Sequence, residues 1–504
     1  MQSDPRFQTS LSRRAVLGGG LSAATLLALS ACTPAPRLVS PTSAAVKAAE
    51  GSRPRTGTVV KTALRAEETT IDLAGTQART WGYGTIPAPV IRVRQGDTVQ
   101  ATLTNATPEE TTIHWHGVAL RNDMDGVPAL TQDPIAAGKS FSYQFTAPKA
   151  GTYWFHPHVG TQLDRGLYGA LIIDDPNEPL AYDEEWVVVL DDWLDGVTST
   201  PADVLAELSK GMMMGMGGST GAPTRMGNTL MGTGSALLGG DSGDVYYPTY
   251  LINGRPPKDP ETYTSVPGKR VRIRLINAGG DTAFRVALGS HPMTITHTDG
   301  FPVEPTEVDA VLIGMGERYD VLVTLADGVF PFVAEAEGKQ ARAFAIVRTG
   351  SGPTPPDDVV LGELTKRVGV ARALKAAKEV SLSRRNPDHE FTIRLTGSMA
   401  KYDWAINGKA FDLKNPLADA HVIERGERIR LNFVNTTMMW HPMHLHGHTF
   451  QQANGGPRKD TSIVLPGRTL SVEFDADNPG RWLMHCHNIY HAEAGMMGTI
   501  AYAT

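Results

Sequence analysis

Four His-x-His pairs constrain this chain more than any other feature. They are His114/His116 in HWHG, His156/His158 in WFHPHV, His444/His446 in HPMHLHGH, and His485/His487 around Cys486 in HCHNIYH. One such pair is a weak signal, because zinc sites also use paired histidines. Eight imidazoles are too many for one metal and enough for several. Two pairs lie near each end of the chain, so a fold that uses all four must bring the ends together.

The last pair adds sulfur. Cys486 is followed by His491 and Met496, and His441 stands just ahead of the third pair. A thiolate, two imidazoles and a weak thioether form the ligand set of a blue electron-transfer copper, and soft sulfur and nitrogen donors select copper over calcium or magnesium. On a strand, His485 and His487 would share one face, about 7 Å apart, with Cys486 on the other. Each histidine could then serve a different metal. HCH alone also fits a zinc half-site or a buried thiol between chance histidines. These positions account for ten of the 15 histidines, and His291, His297, His389, His421 and His448 read as surface or satisfied core residues.

The ordered motifs HWHG, WFHPH, HPMHLHGH and HCHNIYHAEAGM resemble those of the multicopper oxidases, a family of laccases, ascorbate oxidases and cuprous or ferrous oxidases. RNDMDGVP, GTYWFHPHVG, YLINGR and GERYDVLV extend the likeness over nearly the whole mature chain, closest to actinobacterial copper-tolerance lipoproteins. The resemblance implies three cupredoxin-like Greek-key β domains and four coppers per chain. It assigns His441, Cys486, His491 and Met496 to a type 1 copper, and His114 and His444 to a type 2 copper. One type 3 copper receives His116, His156 and His487; the other receives His158, His446 and His485. Asp125, nine residues after His116, matches an acidic residue that helps deliver protons. Many bacterial relatives carry Glu directly after the last type 1 histidine, where this chain has Ala492 and places Glu493 one position later.

The N-terminus carries addresses rather than fold. Ser12-Arg13-Arg14 opens a twin-arginine signal, followed by an apolar run from Val16 to Ala31. Leu29-Ser30-Ala31-Cys32 resembles a lipoprotein cleavage box, giving an expected lipid on Cys32 and a location at the extracytoplasmic face of the cell membrane. An uncleaved anchor is the alternative, although the run falls short of the roughly 20 residues a span needs. Cleavage before Cys32 would leave one other cysteine and no internal disulfide. Residues 32–60 read as a flexible tether.

The remaining chain exceeds one hydrophobic core. Val90–Val93, Arg270–Ile276, Tyr319–Val323, Arg428–Val434 and Leu470–Phe474 alternate or are rich in β-branched residues, with Gly, Pro, Asn and Asp clusters between them, which indicates an all-β sandwich or barrel fold. Strong helix patterns are rare, the clearest being Pro201–Ser209 and Val370–Val380. Asp174–Pro179 and Gly350–Asp358 read as linkers, dividing the chain into domains at 61–176, 180–350 and 375–504. The middle domain, a spacer and substrate wall, carries no ligand of the set above. With 47 basic and 53 acidic residues interspersed, the chain offers no nucleic-acid-binding patch.

Residues 211–232 hold Met212, Met213, Met214, Met216, Met226 and Met231 among glycines, a soft-donor segment suited to Cu(I). Met439, two residues before His441, matches a methionine of cuprous oxidases; the aspartate they place four residues before it is Thr437 here. Core packing explains Met438 and Met439 equally well. The expected activity is oxidation of Cu(I), or of Fe(II), phenols or aromatic amines, coupled to reduction of dioxygen to water by a monomer active in copper detoxification. A general laccase and a non-enzymatic copper-sequestering lipoprotein are the alternatives.

Overall fold

The computed structural model describes residues 36–211 and 222–504. Both N-terminal motifs, Cys32, and Met212, Met213, Met214 and Met216 lie outside the described residues. Among those described, no helix is long and apolar enough to cross a membrane.

Three β units follow one another, each of two facing sheets. In the first, strands Thr76–Gly82, Val59–Leu73, Thr98–Asn105 and Ser140–Thr146 form one sheet; Ala88–Arg94, Gly169–Asp174, Gly151–His156 and His114–His116 form the other. The second unit has two six-stranded sheets between Glu184 and Gly369, and the third has six- and five-stranded sheets between His389 and Tyr502. One topology recurs three times. The opening strand pairs parallel with a later one: Val59–Leu73 with Thr98–Asn105, Glu184–Trp193 with Arg270–Asn277, and His389–Thr396 with Arg428–Asn435. A parallel neighbour needs a crossover, so each unit closes on itself. Alternation does the rest: Thr98–Asn105 buries every second side chain against the core of Trp115, Tyr143 and Phe155.

All five segments expected to be strands lie within observed ones. The helix expected at Pro201–Ser209 forms over Pro201–Leu208, with Thr200 and Asp203 making a reciprocal capping box and proline at the first turn. The helix expected at Val370–Val380 does not form. A 3₁₀ turn at Ala371–Ala373 is all that is helical there, because tertiary pairing claims the backbone: Glu304 N–H donates to Lys375 O, and Ala376 N–H to Gly455 O. This connection straps the second unit to the third.

The tether also needs correction. Ala44–Gly51 is a helix capped by Ser43, with Val46 and Ala49 buried. Val39 N–H donates to Tyr502 O, and the Glu50 carboxylate accepts from Thr146 N and Oγ at 2.9 and 2.7 Å. The arm is therefore fastened to the last strand of the third unit and to the first unit. Sequence missed it because eight alanine-rich residues are too few to form a stable helix alone; packing stabilises them.

Two further seams position the site. Between the first and third units, Asn122 and Arg481 exchange side-chain-to-backbone hydrogen bonds, and Asn478 donates to Leu120 O and Gly447 O. Between the first and second, Asp320 accepts from Thr152 and from both Arg272 and Arg274.

Candidate metal centre

Strand register builds the larger centre. His114 lies opposite His156 in one antiparallel pair, and His444 opposite His485 in another. The seam between the first and third units sets these two ladders face to face. His114, His116 and His444 converge; so do His116, His156 and His487, and His158, His446 and His485, with ligand atoms in each group within 4.8 Å of one another. His444 Nε2 is 3.4 Å from His114 Nε2, and His485 Nε2 is 3.1 Å from His446 Nε2 and 3.5 Å from His158 Nε2.

The outer nitrogens explain which inner ones face the centre. His114 Nδ1 donates to Asp125 O, His444 Nδ1 to Asp460 O, His156 Nδ1 to Pro157 O and His485 Nδ1 to Cys486 O, at 2.8–3.0 Å. His446 Nδ1 meets Asp125 Oδ2 at 2.9 Å. Each bond fixes a tautomer and leaves the Nε2 lone pair free. Gly126 permits the Asp125 approach: its φ is +80°, and a Cβ there would sit 1.9 Å from Ile113 O.

Burial foremost, then neighbouring imidazoles, holds His116, His156, His158, His446, His485 and His487 well below the ordinary imidazole pKa. Neutral rings are donors. His116 Nδ1, His156 Nε2 and both nitrogens of His487 are buried without a hydrogen-bond partner. Buried polar atoms are rarely left unpaired, so converging orphan lone pairs fit a bound cation.

The smaller centre lies within the third unit. Cys486 Sγ is 3.6 Å from His441 Nδ1 and 3.7 Å from His491 Nδ1, and the two nitrogens are 3.2 Å apart. The strand Arg481–Cys486 stops at the cysteine, so His487 lies beyond it rather than within a continuous strand. Asn488 caps the short helix Ile489–Glu493 and turns His491 back toward the sulfur. Met496 is fully buried, and its carbonyl accepts from Cys486 N. Burial pushes the free Cys486 thiol far above its usual pKa. A thiolate there requires a cation, and soft thiolate with imidazole suits copper.

The ten histidines and Cys486 thus meet in two centres, with Met496 in the turn that closes the smaller one and Asp125 against the larger. Met439 is buried, its backbone bridged to Asp241 of the middle unit, while Met438 is 84% exposed. Thr437 Oγ lies 2.8 Å from His441 Nε2.

Sequence reasoning missed the middle unit's part. Gly316 abuts the larger centre so closely that a Cβ would lie 2.8 Å from His487 and 3.0 Å from His116. Arg318 donates to both oxygens of Asp460 at 2.7 and 2.6 Å, and Asp460 Oδ1 is 3.1 Å from His116 Nε2. Burial alone would raise the Asp460 carboxyl, but Arg318 holds it well below the carboxylate range. GERYDVLV contains Gly316 and Arg318, yet nothing local ties it to Asp460.

Family models described as multicopper oxidase match residues 65–178, 184–352 and 384–504, one per unit. This chain belongs to the multicopper oxidase family. Copper is therefore its cofactor and oxidation its activity. The oxidase is 49% identical over 496 residues to multicopper oxidase MmcO of Mycobacterium tuberculosis, covering 97% of this chain and 96% of that protein. It is 29% identical to copper resistance protein A of Escherichia coli, over 86% of this chain and 91% of that one. Among solved structures it resembles the laccase of Botrytis aclada, at TM-score 0.73 and 25% identity, covering 93% of each chain.

Proposed function

We propose that this oxidase couples one-electron oxidation of Cu(I), with Fe(II), phenols and aromatic amines as further donors, to four-electron reduction of dioxygen to two waters. In this reading His441, Cys486, His491 and Met496 hold one copper, His114 and His444 a second, His116, His156 and His487 a third, and His158, His446 and His485 a fourth. Copper held there would supply one-electron redox chemistry at the sulfur site and four-electron reduction of dioxygen at the imidazole cluster.

One observation carries the reading. Cys486 belongs to the smaller centre, and its chain neighbours His485 and His487 belong to two groups of the larger. The protein itself therefore provides a short covalent route between them. Asp125, with one carboxylate oxygen on His446 and the other 3.2 Å from His114, stands against the cluster where it can relay protons to it. The chain's own side chains also select the donor. His441 and His491 are fully buried, so electrons from any donor reach them through the surrounding side chains, and exposed Met438 followed by buried Met439 offers thioethers to a soft ion. The methionines of 211–232 gather that ion. The name of the Escherichia coli relative supports a role in copper resistance.

Copper-quantified protein, reduced without oxygen and then reoxidised, tests the reaction: four Cu(I) consumed per dioxygen without peroxide supports it, and peroxide release rejects it. Met439→Leu, or deletion of 211–232, should impair Cu(I) oxidation more than oxidation of an aromatic diamine; equal losses favour the general laccase. We further propose export by the twin-arginine route and a monomer held at the extracytoplasmic face of the cell membrane through lipid on Cys32. Cys32→Ala should move the protein out of the membrane fraction, and unchanged retention would indicate an uncleaved anchor.

A further inference from the structure

A cavity of about 470 Å³ opens on the seam between the second and third units, and no histidine of either centre lines it. Its size suits a small organic molecule. Leu237, Leu312, Ile463, Leu465 and Leu470 form apolar walls. Exposed Arg372, from the interdomain connection, and exposed Arg468, from the third unit, line the same cavity. Neither guanidinium has an ion-pair or hydrogen-bond partner among the described residues. Tyr319, 1% exposed, also lines it, and its hydroxyl has no hydrogen-bond partner.

The buried hydroxyl is costly without a partner. A buried hydroxyl left unpaired loses about 1–3 kcal/mol of hydrogen bonding, and two cations at one apolar opening gain nothing from each other. Glu317 shares the lining but does not neutralise the arginines. Its Oε1 lies 3.2 Å from the Lys459 ammonium, and its Oε2 accepts from Gly314 N at 2.8 Å. The lining therefore presents a cationic opening, an aliphatic middle and one inner hydroxyl.

We infer that this seam cavity binds a small amphipathic carboxylate, with its carboxylate at Arg372 and Arg468, its apolar body among the leucines, and a polar atom at its far end bonded to the Tyr319 hydroxyl. Such a ligand joins the connection to the third unit and tightens the seam. It is no electron donor in this role, and no ligand of either centre lines the site.

Calorimetric titration of the copper-loaded protein with 4-methoxybenzoate tests the assignment. This probe carries a carboxylate and an ether oxygen at opposite ends of an apolar ring. Saturable one-to-one binding is expected, with a rise in melting temperature. Replacing both arginines, Arg372→Ala with Arg468→Ala, should weaken it by about tenfold or more, because each charged contact contributes on that scale. Tyr319→Phe should weaken it severalfold, and the methyl ester should bind more weakly than the acid. Both arginines are exposed and neither belongs to the ligand set, so an unchanged visible spectrum in the double variant confirms its fold. No binding at millimolar probe, binding undiminished in the double variant, or equal competition by chloride would overturn the proposal.

Discussion

The two centres are built in opposite ways. Around Cys486, one turn supplies cysteine, His491 and Met496, and a neighbouring strand supplies His441, so the third unit holds the whole set. The imidazole cluster takes four histidines from each of two units and is closed over by Gly316 and Arg318 of the third party, the middle unit. The sulfur centre should therefore survive damage to the seams, and the cluster should not.

Arg318→Met should have the largest effect. It leaves Asp460 buried without its partner, and breaking such a pair costs about 3–5 kcal/mol. The expected outcome is a lower melting temperature and loss of cluster copper with retention of the blue absorbance. Loss of the blue band first, with the cluster intact, would break the comparison.

A smaller effect belongs to the seam at Asp320. Burial lowers His297 to about 4, against the opposing pull of Asp320. Its folded pKa lies below the unfolded value, so the unfolded chain binds more protons below about pH 6.5. Stability from this residue is thus lost as pH falls from about 6.5 through about 4, by about 2 kcal/mol because part of the ring still reaches solvent. His297→Gln should flatten that part of the stability curve, measured by denaturant unfolding at several pH values. An unchanged slope would assign the acid sensitivity elsewhere.

The N-terminal arm sharpens the comparison at lower amplitude. Glu50→Ala removes the acceptor for Thr146 and should cost about 1–2 kcal/mol, with both visible and electron-spin spectra unchanged. Thr200→Ala removes a helix cap in the middle unit and should cost about 1 kcal/mol. A spectral change in Thr200→Ala would show that the centres feel distant loosening.

The same contrast explains what the sequence revealed. Cys486, His491 and Met496 fall within the single motif HCHNIYHAEAGM, so most of the sulfur centre stood in one stretch of sequence, while His441 was assigned to it by the family resemblance. The four His-x-His pairs announced the cluster, and alternating strands announced the β units. Asp460, Arg318 and Gly316 could not be read, because their roles arise only when three units meet. Helix signals failed where tertiary bonds decide: Val370–Val380 is pulled straight by Glu304 and Gly455, whereas the arm is held by Thr146 at Glu50 of the helix and by Tyr502 at Val39 ahead of it. The methionine segment was visible in composition alone.

Copper quantification and spectroscopy of Cys486→Ser test the separation of the centres most directly. The substitution removes the only thiol of the described chain from a set complete within one unit. The predicted result is three coppers per chain instead of four, no intense blue band, and an unaltered cluster signal. A persistent blue band, or departure of the cluster copper together with the sulfur-bound one, would contradict the account.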